Sequence, residues 1–429
     1  MAAAAIRRAL AERSYMPEVT FTTGSALQKS ALRQANDRLV LNVIRQNPSV
    51  SRADLVRITG MAPSSVTFIV KRLKREKLVY DDKPETRQPV GRRPTGLHLR
   101  AEARIALAIE IGPSGGRIIT ADLNGAPLVR KVVPWHPNHD VFFDRIHSAI
   151  RSLLHPLARG QVLGAGVALP GTIDRNSGRV IAAENLGWFG LDADALIRRN
   201  LDIPFYFENA AKLSALAEMW FPENHASPLQ DFVSVIAGGG IGTGVIVNGQ
   251  LLQGALSAGG EFGHISIDPD GRRCPCGNIG CWEQYASDRA LARAYAEESG
   301  EPAAVDDPAQ DIVAKARAGE PAALRALQTA ARYIGMGLVN LVMALNPQAI
   351  IVGDYLAQGW DLMEETVWSI LRSRVPPYAL SALRISPSRH GAEVSLMGAV
   401  ALVLTRFFNS FNHSVQAKPG SSVVMHRGL

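Results

Sequence analysis

Cysteine is scarce in this chain, with three residues in 429. A small, odd number argues against a closed disulfide framework and fits a reducing compartment. Aromatic residues make up only 6%. No apolar run reaches the roughly 18 residues of a membrane span. The start, MAAAAIRRALAERSYM, lacks the sustained apolar core and cleavage site of a secretory signal. A cytoplasmic protein with no membrane partner is the expectation. Short-period repeats are also missing, which argues against solenoids and propellers. The length exceeds one ordinary core and predicts two or three domains.

Acidic residues are sparse at one end only. Residues 1–100 carry 19 Lys and Arg against 8 Asp and Glu, a balance of +11, while the remainder carries 27 against 31, a balance of −4. The asymmetry suggests a polyanion partner for the first hundred residues, a basic solubilising tail being the alternative. Residues 1–30 show no sustained periodicity and are expected to form a flexible extension.

From Asn36 the pattern changes. Leu39, Val43 and Ile44 repeat at helical spacing up to the stop at NPS. Ser51 followed by Asp54 is a capping-box pattern for a short second helix that Gly60 closes. Pro63 opens a third, whose Val66, Ile69, Val70 and Leu73 form an inward stripe. Its opposite face presents Ser64, Thr67, Phe68, Lys71 and Arg75. Two short helices around a tight turn, the second polar and basic outside, read as a helix-turn-helix, with a wing over 78–99. Over 31–100 a winged helix-turn-helix is therefore expected. Ser64, Ser65 and Thr67 would reach base edges, Lys71 and Arg75 would take phosphates, and Arg92 and Arg93 at the wing turn would suit a minor groove. A winged helix that contacts only protein is the alternative.

After Arg104 strands and helices alternate, an α/β pattern long enough for two sheets with a cleft between them. Three strands in succession, RIALAIEIG, GRIITADLNG and PLVRKVVPW, precede a helix over 140–158. VLGAGVALPG reads as a buried strand, residues 209–220 as a helix, and DFVSVIAGGGIGTGVIVNGQ as a hairpin around a glycine loop. Helices dominate 286–345, QAIIVGD is a strand, and EVSLMGAVALVLTRFF is an apolar closing helix.

All three cysteines fall within eight positions, in the order H-x9-C-x-C-x4-C formed by His264, Cys274, Cys276 and Cys281. Three thiolates and one imidazole make a standard tetrahedral zinc set, and a closed set leaves no position for reactive water, so the role is structural. Free surface thiols beside a coincidental histidine are the alternative.

The segment GGEFGHISIDPDGRRCPCGNIGCWE resembles the ROK family signature (repressors, open reading frames and kinases), in which Gly-Glu-x-Gly-His precedes a C-x-C-G-x-x-G-C-x-E zinc loop. The resemblance covers roughly 104–410, with 411–429 left as a flexible tail. With the helix-turn-helix in front, the chain is similar to the family's xylose and N-acetylglucosamine repressor branch. The implied fold is a two-lobed, actin-like and hexokinase-like α/β domain with a sugar in the interdomain cleft. Two kinase motifs depart from the family pattern. Where the family writes Asp-x-Gly-Gly-Thr, this chain has Glu110-Ile111-Gly112-Pro113-Ser114, and Pro113 removes a backbone donor. Where the family writes Glu-Asn-Asp-Ala-Asn, this chain has Glu208-Asn209-Ala210-Ala211-Lys212. Ala210 replaces the aspartate that takes the sugar proton, a loss that commonly costs on the order of 10²–10⁴ in rate. No ATP use is therefore expected.

Sugar recognition by Asn185, Asn209, Glu261, His264 and Glu283 is what the resemblance implies. LPGTID (169–174) resembles the loop that closes over the sugar. The overall expectation is a regulator, a repressor of carbohydrate uptake or catabolism genes, working as a homodimer or homotetramer on operator DNA. A ROK kinase with an accessory DNA-binding head, or a regulator controlled by a phosphotransferase-system protein, are the alternatives.

Overall fold

The computed structural model describes residues 29–82, 96–158, 160–222, 229–255, 257–303 and 307–408. The expected tail, most of the expected N-terminal extension, and Arg92 and Arg93 lie outside the described residues.

The head contains α1 (Lys29–Gln46), α2 (Arg52–Thr59), α3 (Pro63–Arg75), β1 (Val79–Asp81) and β2 (Leu97–Leu99), the two strands pairing antiparallel. Ser51 and Asp54 form a reciprocal capping box at the start of α2. Gly60 ends that helix in the left-handed region. Pro63 opens α3, where its missing N–H would have no helical partner anyway. Val66, Ile69, Val70 and Leu73 are buried as their spacing predicts. They pack with Val40, Leu41 and Ile44 of α1 and with Leu55 and Leu97.

The first lobe is built on β3 (Ile105–Gly112), β4 (Gly115–Ala121), β5 (Pro127–Pro134), β6 (Val162–Leu169) and β10 (Phe205–Asn209), in the sheet order β10-β6-β3-β4-β5. Strands β3, β4 and β5 are the three expected in succession. Helix α4 (His139–Leu154) covers one face with Phe142, Phe143, Ile146 and Ile150. An unforeseen meander, β7 (Thr172–Asp174), β8 (Arg179–Ala183) and β9 (Trp188–Asp192), leads into α5 (Ala193–Arg198). Helix α6 (Ala210–Trp220) follows β10 directly.

The second lobe has the sheet order β13-β12-β11-β14-β15, from β11 (Phe232–Ala237), β12 (Ile241–Val247), β13 (Gln250–Leu251), β14 (Ala349–Val352) and β15 (Arg384–Pro387). The stretch expected to be helical resolves into α7 (Glu283–Ala286), α8 (Asp288–Ser299), α9 (Pro308–Arg317) and α10 (Pro321–Leu345). Next come α11 (Asp354–Gln358), α12 (Trp360–Arg374) and α13 (Pro377–Leu380). The chain then returns to the first lobe as α14 (Val394–Phe408).

The stretch Gly391–Phe408 has the length and mean hydropathy, 1.5, of a membrane-crossing helix. Counting only unbroken apolar runs overlooks it, because Glu393 and Arg406 interrupt the run. Here 67% of it is buried inside the protein, as a core helix would be. Its seat is prepared by residue size. On β3 the large Leu107, Ile109 and Ile111 face α4, while Ala106 and Ala108 face α14. The backbones approach so closely that a Cβ on Gly166 would lie 2.1 Å from the Ala399 carbonyl oxygen, and one on Gly398 would lie 1.9 Å from that of Leu213 in α6.

The head and first lobe share one apolar core, in which α1 meets α6 and α14. The Arg38 guanidinium lies 3.8 Å from the Phe407 ring centre, and that of Arg45 lies 4.6 Å from Trp220 and 5.2 Å from Phe408.

Candidate functional site

Three features invite a function: a thiol cluster, a cleft beside it, and the outer face of α3. In the cluster, one ligand atom each from His264, Cys274, Cys276 and Cys281 lies within 4.8 Å of the others. Cys276 Sγ and Cys281 Sγ are 3.7 Å apart, as are Cys274 Sγ and His264 Nδ1. Tetrahedral zinc at its usual bond lengths needs about 3.8 Å between sulfurs and about 3.6 Å between sulfur and nitrogen. The residues therefore fit a zinc ion. The loop holds itself in place through its backbone. Cys274 N–H donates to Asn278 O at 2.9 Å and Gly280 N–H to Arg272 O at 2.8 Å. Gly280 has φ 70°, and a Cβ there would fall 1.6 Å from the Asp268 carbonyl oxygen, so only glycine serves.

The cleft runs between the lobes. Pro170, Gly171, Glu184, Asn209 and Ala210 line it from one side, and the Gly238–Gly242 turn, Glu261, His264 and Glu283 from the other. Four of the five expected sugar residues thus meet here. Asn185 lies in the short turn Glu184–Leu186, and its side chain is outside the described residues.

Asn209 differs from expectation in how its amide is used. Its Oδ1 caps α6, accepting from Ala211 N–H at 2.8 Å and Lys212 N–H at 3.1 Å, while Nδ2 donates to Gly171 O at 2.9 Å. Glu283 also has an internal contact, accepting from the Cys274 thiol at 3.0 Å. Beneath the wall, buried Glu208 pairs with Arg175 at 2.7 Å and accepts from Gln253 at 3.3 Å. Buried Lys212 donates to the Ser257 carbonyl. Burial pushes the Lys212 amine down, against the opposing pull of Glu208 and Glu261. Burial also raises Glu261, opposed by His264 and Lys212.

On α3, Ser64, Ser65, Thr67, Lys71 and Arg75 are all exposed. Thr67 returns its hydroxyl proton to Pro63 O at 2.9 Å. Two other cations of the helix are held within the head: Arg72 binds Asp37, at 2.7 Å through Nε, and Lys74 pairs with Asp81. Lys71 and Arg75 make no ion pair among the described residues.

Comparison with known proteins agrees with this geometry. Residues 106–406 match the ROK family, and residues 33–80 match the winged helix-turn-helix DNA-binding family.

The chain belongs to the ROK family.

A xylose repressor of Bacillus spizizenii is 30% identical over 385 residues, 88% of this chain and 97% of that one. The crystal structure of a ROK family transcriptional regulator, a homologue of the Escherichia coli MLC protein, superposes with a TM-score of 0.74 at 26% identity, covering 88% of this chain and 97% of the other. A ROK family glucokinase from Streptomyces griseus, in complex with glucose and AMPPNP, superposes at 0.61 with 27% identity, covering 70% of this chain and 98% of its own.

One end of the cleft is acidic. Pro113 and Asp354 line it with the Gly238–Gly242 turn. That turn is a tight hairpin, with Gly238 N–H donating to Gly240 O at 3.1 Å. Burial pushes the Asp354 carboxyl up to about 6, against the pull of Arg117. Glu110 is pushed up to about 7 by burial, which outweighs its ion pair with Arg117. By the resemblance, Gly353-Asp354 stands where the family writes Gly-Gly near the nucleotide, and the structure places the Asp354 carboxylate on the cleft lining.

Glu110 gives a test with a definite sign. Its folded pKa of about 7 lies above the ordinary 4.5. Between those values the native state keeps a proton that the unfolded chain has lost, so this group's contribution falls as pH rises through that window and levels off above it. Glu110→Gln removes the effect. The variant's melting temperature, relative to the parent, should climb between about pH 4.5 and about pH 7 in thermal unfolding and level off above. A pH-independent difference would show that Glu110 titrates normally.

Proposed function

We propose that this protein is a DNA-binding transcriptional repressor of carbohydrate uptake or catabolism genes, whose ROK domain senses a sugar and no longer phosphorylates it. One observation carries the reading. Ala210 lines the cleft wall beside Asn209 and across from Glu261, His264 and Glu283, and by the resemblance it takes the place of the family's proton-accepting aspartate. A methyl group accepts no proton. Pro113 and the Asp354 carboxylate disfavour a polyphosphate at the other end. Glu184, Glu261, Glu283 and Asp354 line the cleft, with no Lys or Arg among the lining residues. This favours an unphosphorylated sugar. Asn185, Asn209, Glu261, His264 and Glu283 would supply acceptors and donors to its hydroxyls.

The head would bind duplex operator DNA. Ser64, Ser65 and Thr67 would lie near base edges, Lys71 and Arg75 on phosphates, and Arg92 and Arg93 in the adjoining minor groove. A homodimer or homotetramer in the cytoplasm would place two heads on one operator. Zn²⁺ held by His264, Cys274, Cys276 and Cys281 would fix Glu261, His264 and Glu283 in register. A sugar that favours one arrangement of cleft and head would shift DNA occupancy. ATP-dependent phosphorylation of a hexose or amino sugar at ordinary rates would favour the kinase alternative. Capture of a phosphotransferase-system protein in competition with sugar would favour control by that partner.

Lys71→Ala should weaken binding to duplex DNA regardless of sequence. It should also reduce the slope of log affinity against log salt by about one; an unchanged slope would exclude a phosphate contact. Metal analysis of the purified protein should find one zinc per chain, and Cys276→Ser should release it and lower the melting temperature. A metal-free parent protein of full stability would contradict the zinc assignment.

A further inference from the structure

We propose that Phe68 reads sequence by packing its ring on the C5-methyl group of a thymine in the major groove. The inference rests on the DNA-binding reading of the head and adds a specificity-determining residue to it. Phe68 is 70% exposed, more than any other large apolar side chain described in the head. Single apolar residues on a surface are common and need no explanation. This one differs in its company. Ser64, Phe68, Lys71 and Arg75 stand four, three and four residues apart, which places them in one stripe along the helix. The buried stripe of Val66, Ile69, Val70 and Leu73 lies on the other side. Phe68 therefore sits at the centre of the outward face, between a hydroxyl nearer the helix start and two cations farther along.

Helix α3 contains no Asp or Glu. A face of this composition is complementary to a polyanion, and Lys71 and Arg75 follow the ring along it with no ion pair among the described residues. A phenyl ring neither donates nor accepts a conventional hydrogen bond. In the major groove the thymine methyl is the apolar group that distinguishes one base pair from another, and phenylalanine is among the side chains that contact it. Arg33, Asn36 and Ser65 border the groove beside the ring. Leu32, Ile69 and Arg72 line the same groove, and at 70% exposure most of the ring stays open to a base edge.

The test uses the full chain and its own selected sites. Duplexes enriched from a random pool are remade with single thymines replaced by deoxyuridine, which deletes only the methyl group. At one or more positions the parent should lose roughly fourfold in affinity, the worth of one buried methyl. Phe68→Ala should bind the thymine and uracil duplexes equally, and Phe68→Leu should retain part of the preference. An unaltered melting temperature should accompany both variants, since the side chain is exposed. Two results would overturn the assignment: a parent indifferent to uracil at every thymine, or a Phe68→Ala protein with the parent's discrimination. A Phe68→Ala change in oligomeric state with discrimination intact would assign the ring to a protein contact and overturn it too. Failure of the parent to enrich any duplex would sink the DNA-binding reading itself, a result distinct from enrichment without uracil sensitivity.

Discussion

The close passage of α14 over β6 and α6 is the constraint on which the rest of the molecule depends. Side chains at Gly166 or Gly398 would collide with backbone, which cannot swing aside as a flexible side chain can. Overpacking of this kind typically costs about 1–3 kcal/mol. The contact leaves α6 and α14 little room to slide past one another. Both end beneath the head, where Trp220, Phe407 and Phe408 meet Arg38 and Arg45 of α1. Helix α6 begins at the cleft, so about 16 Å of rigid helix joins the cleft wall to the head.

Asn209 is where a ligand would engage this rod. Its amide both caps α6 and holds the Gly171 carbonyl. A sugar hydroxyl that takes over either hydrogen bond alters the position of the Gly171 turn or the start of α6. Recognition and movement then draw on the same side chain. The cysteine loop faces it across the cleft, braced by its own backbone hydrogen bonds. One wall is linked to the head and the other is anchored in the second lobe, an arrangement in which closing the cleft has a direction.

Much of this was legible in the sequence because the signals were local. The capping box at Ser51, Gly60, Pro63 and the four-residue apolar stripe define the head by chemistry within a few residues of each other. The clustered cysteines gave the thiol site for the same reason. The meander over β7–β9 escaped notice because its strands are short and carry no long alternation. The double use of Asn209 depends on Gly171, 38 positions away. The Asp354 carboxylate was legible only through the family resemblance at Gly353-Asp354, whereas the burial that raises Glu110 and Asp354 depends on the packed lobes. The contact between head and lobe was the least visible of all. Arg38, Arg45, Trp220 and Phe408 read singly as two surface cations and two core aromatics.

The central claim is that occupancy of the cleft and occupancy of DNA are coupled through α6 and α14. Reciprocal titration tests it most directly: affinity for a selected duplex with and without a saturating sugar that binds the cleft, and affinity for that sugar with and without the duplex. The account predicts a change in both by the same factor, as linkage requires. A sugar that binds the cleft yet leaves duplex affinity untouched would contradict it.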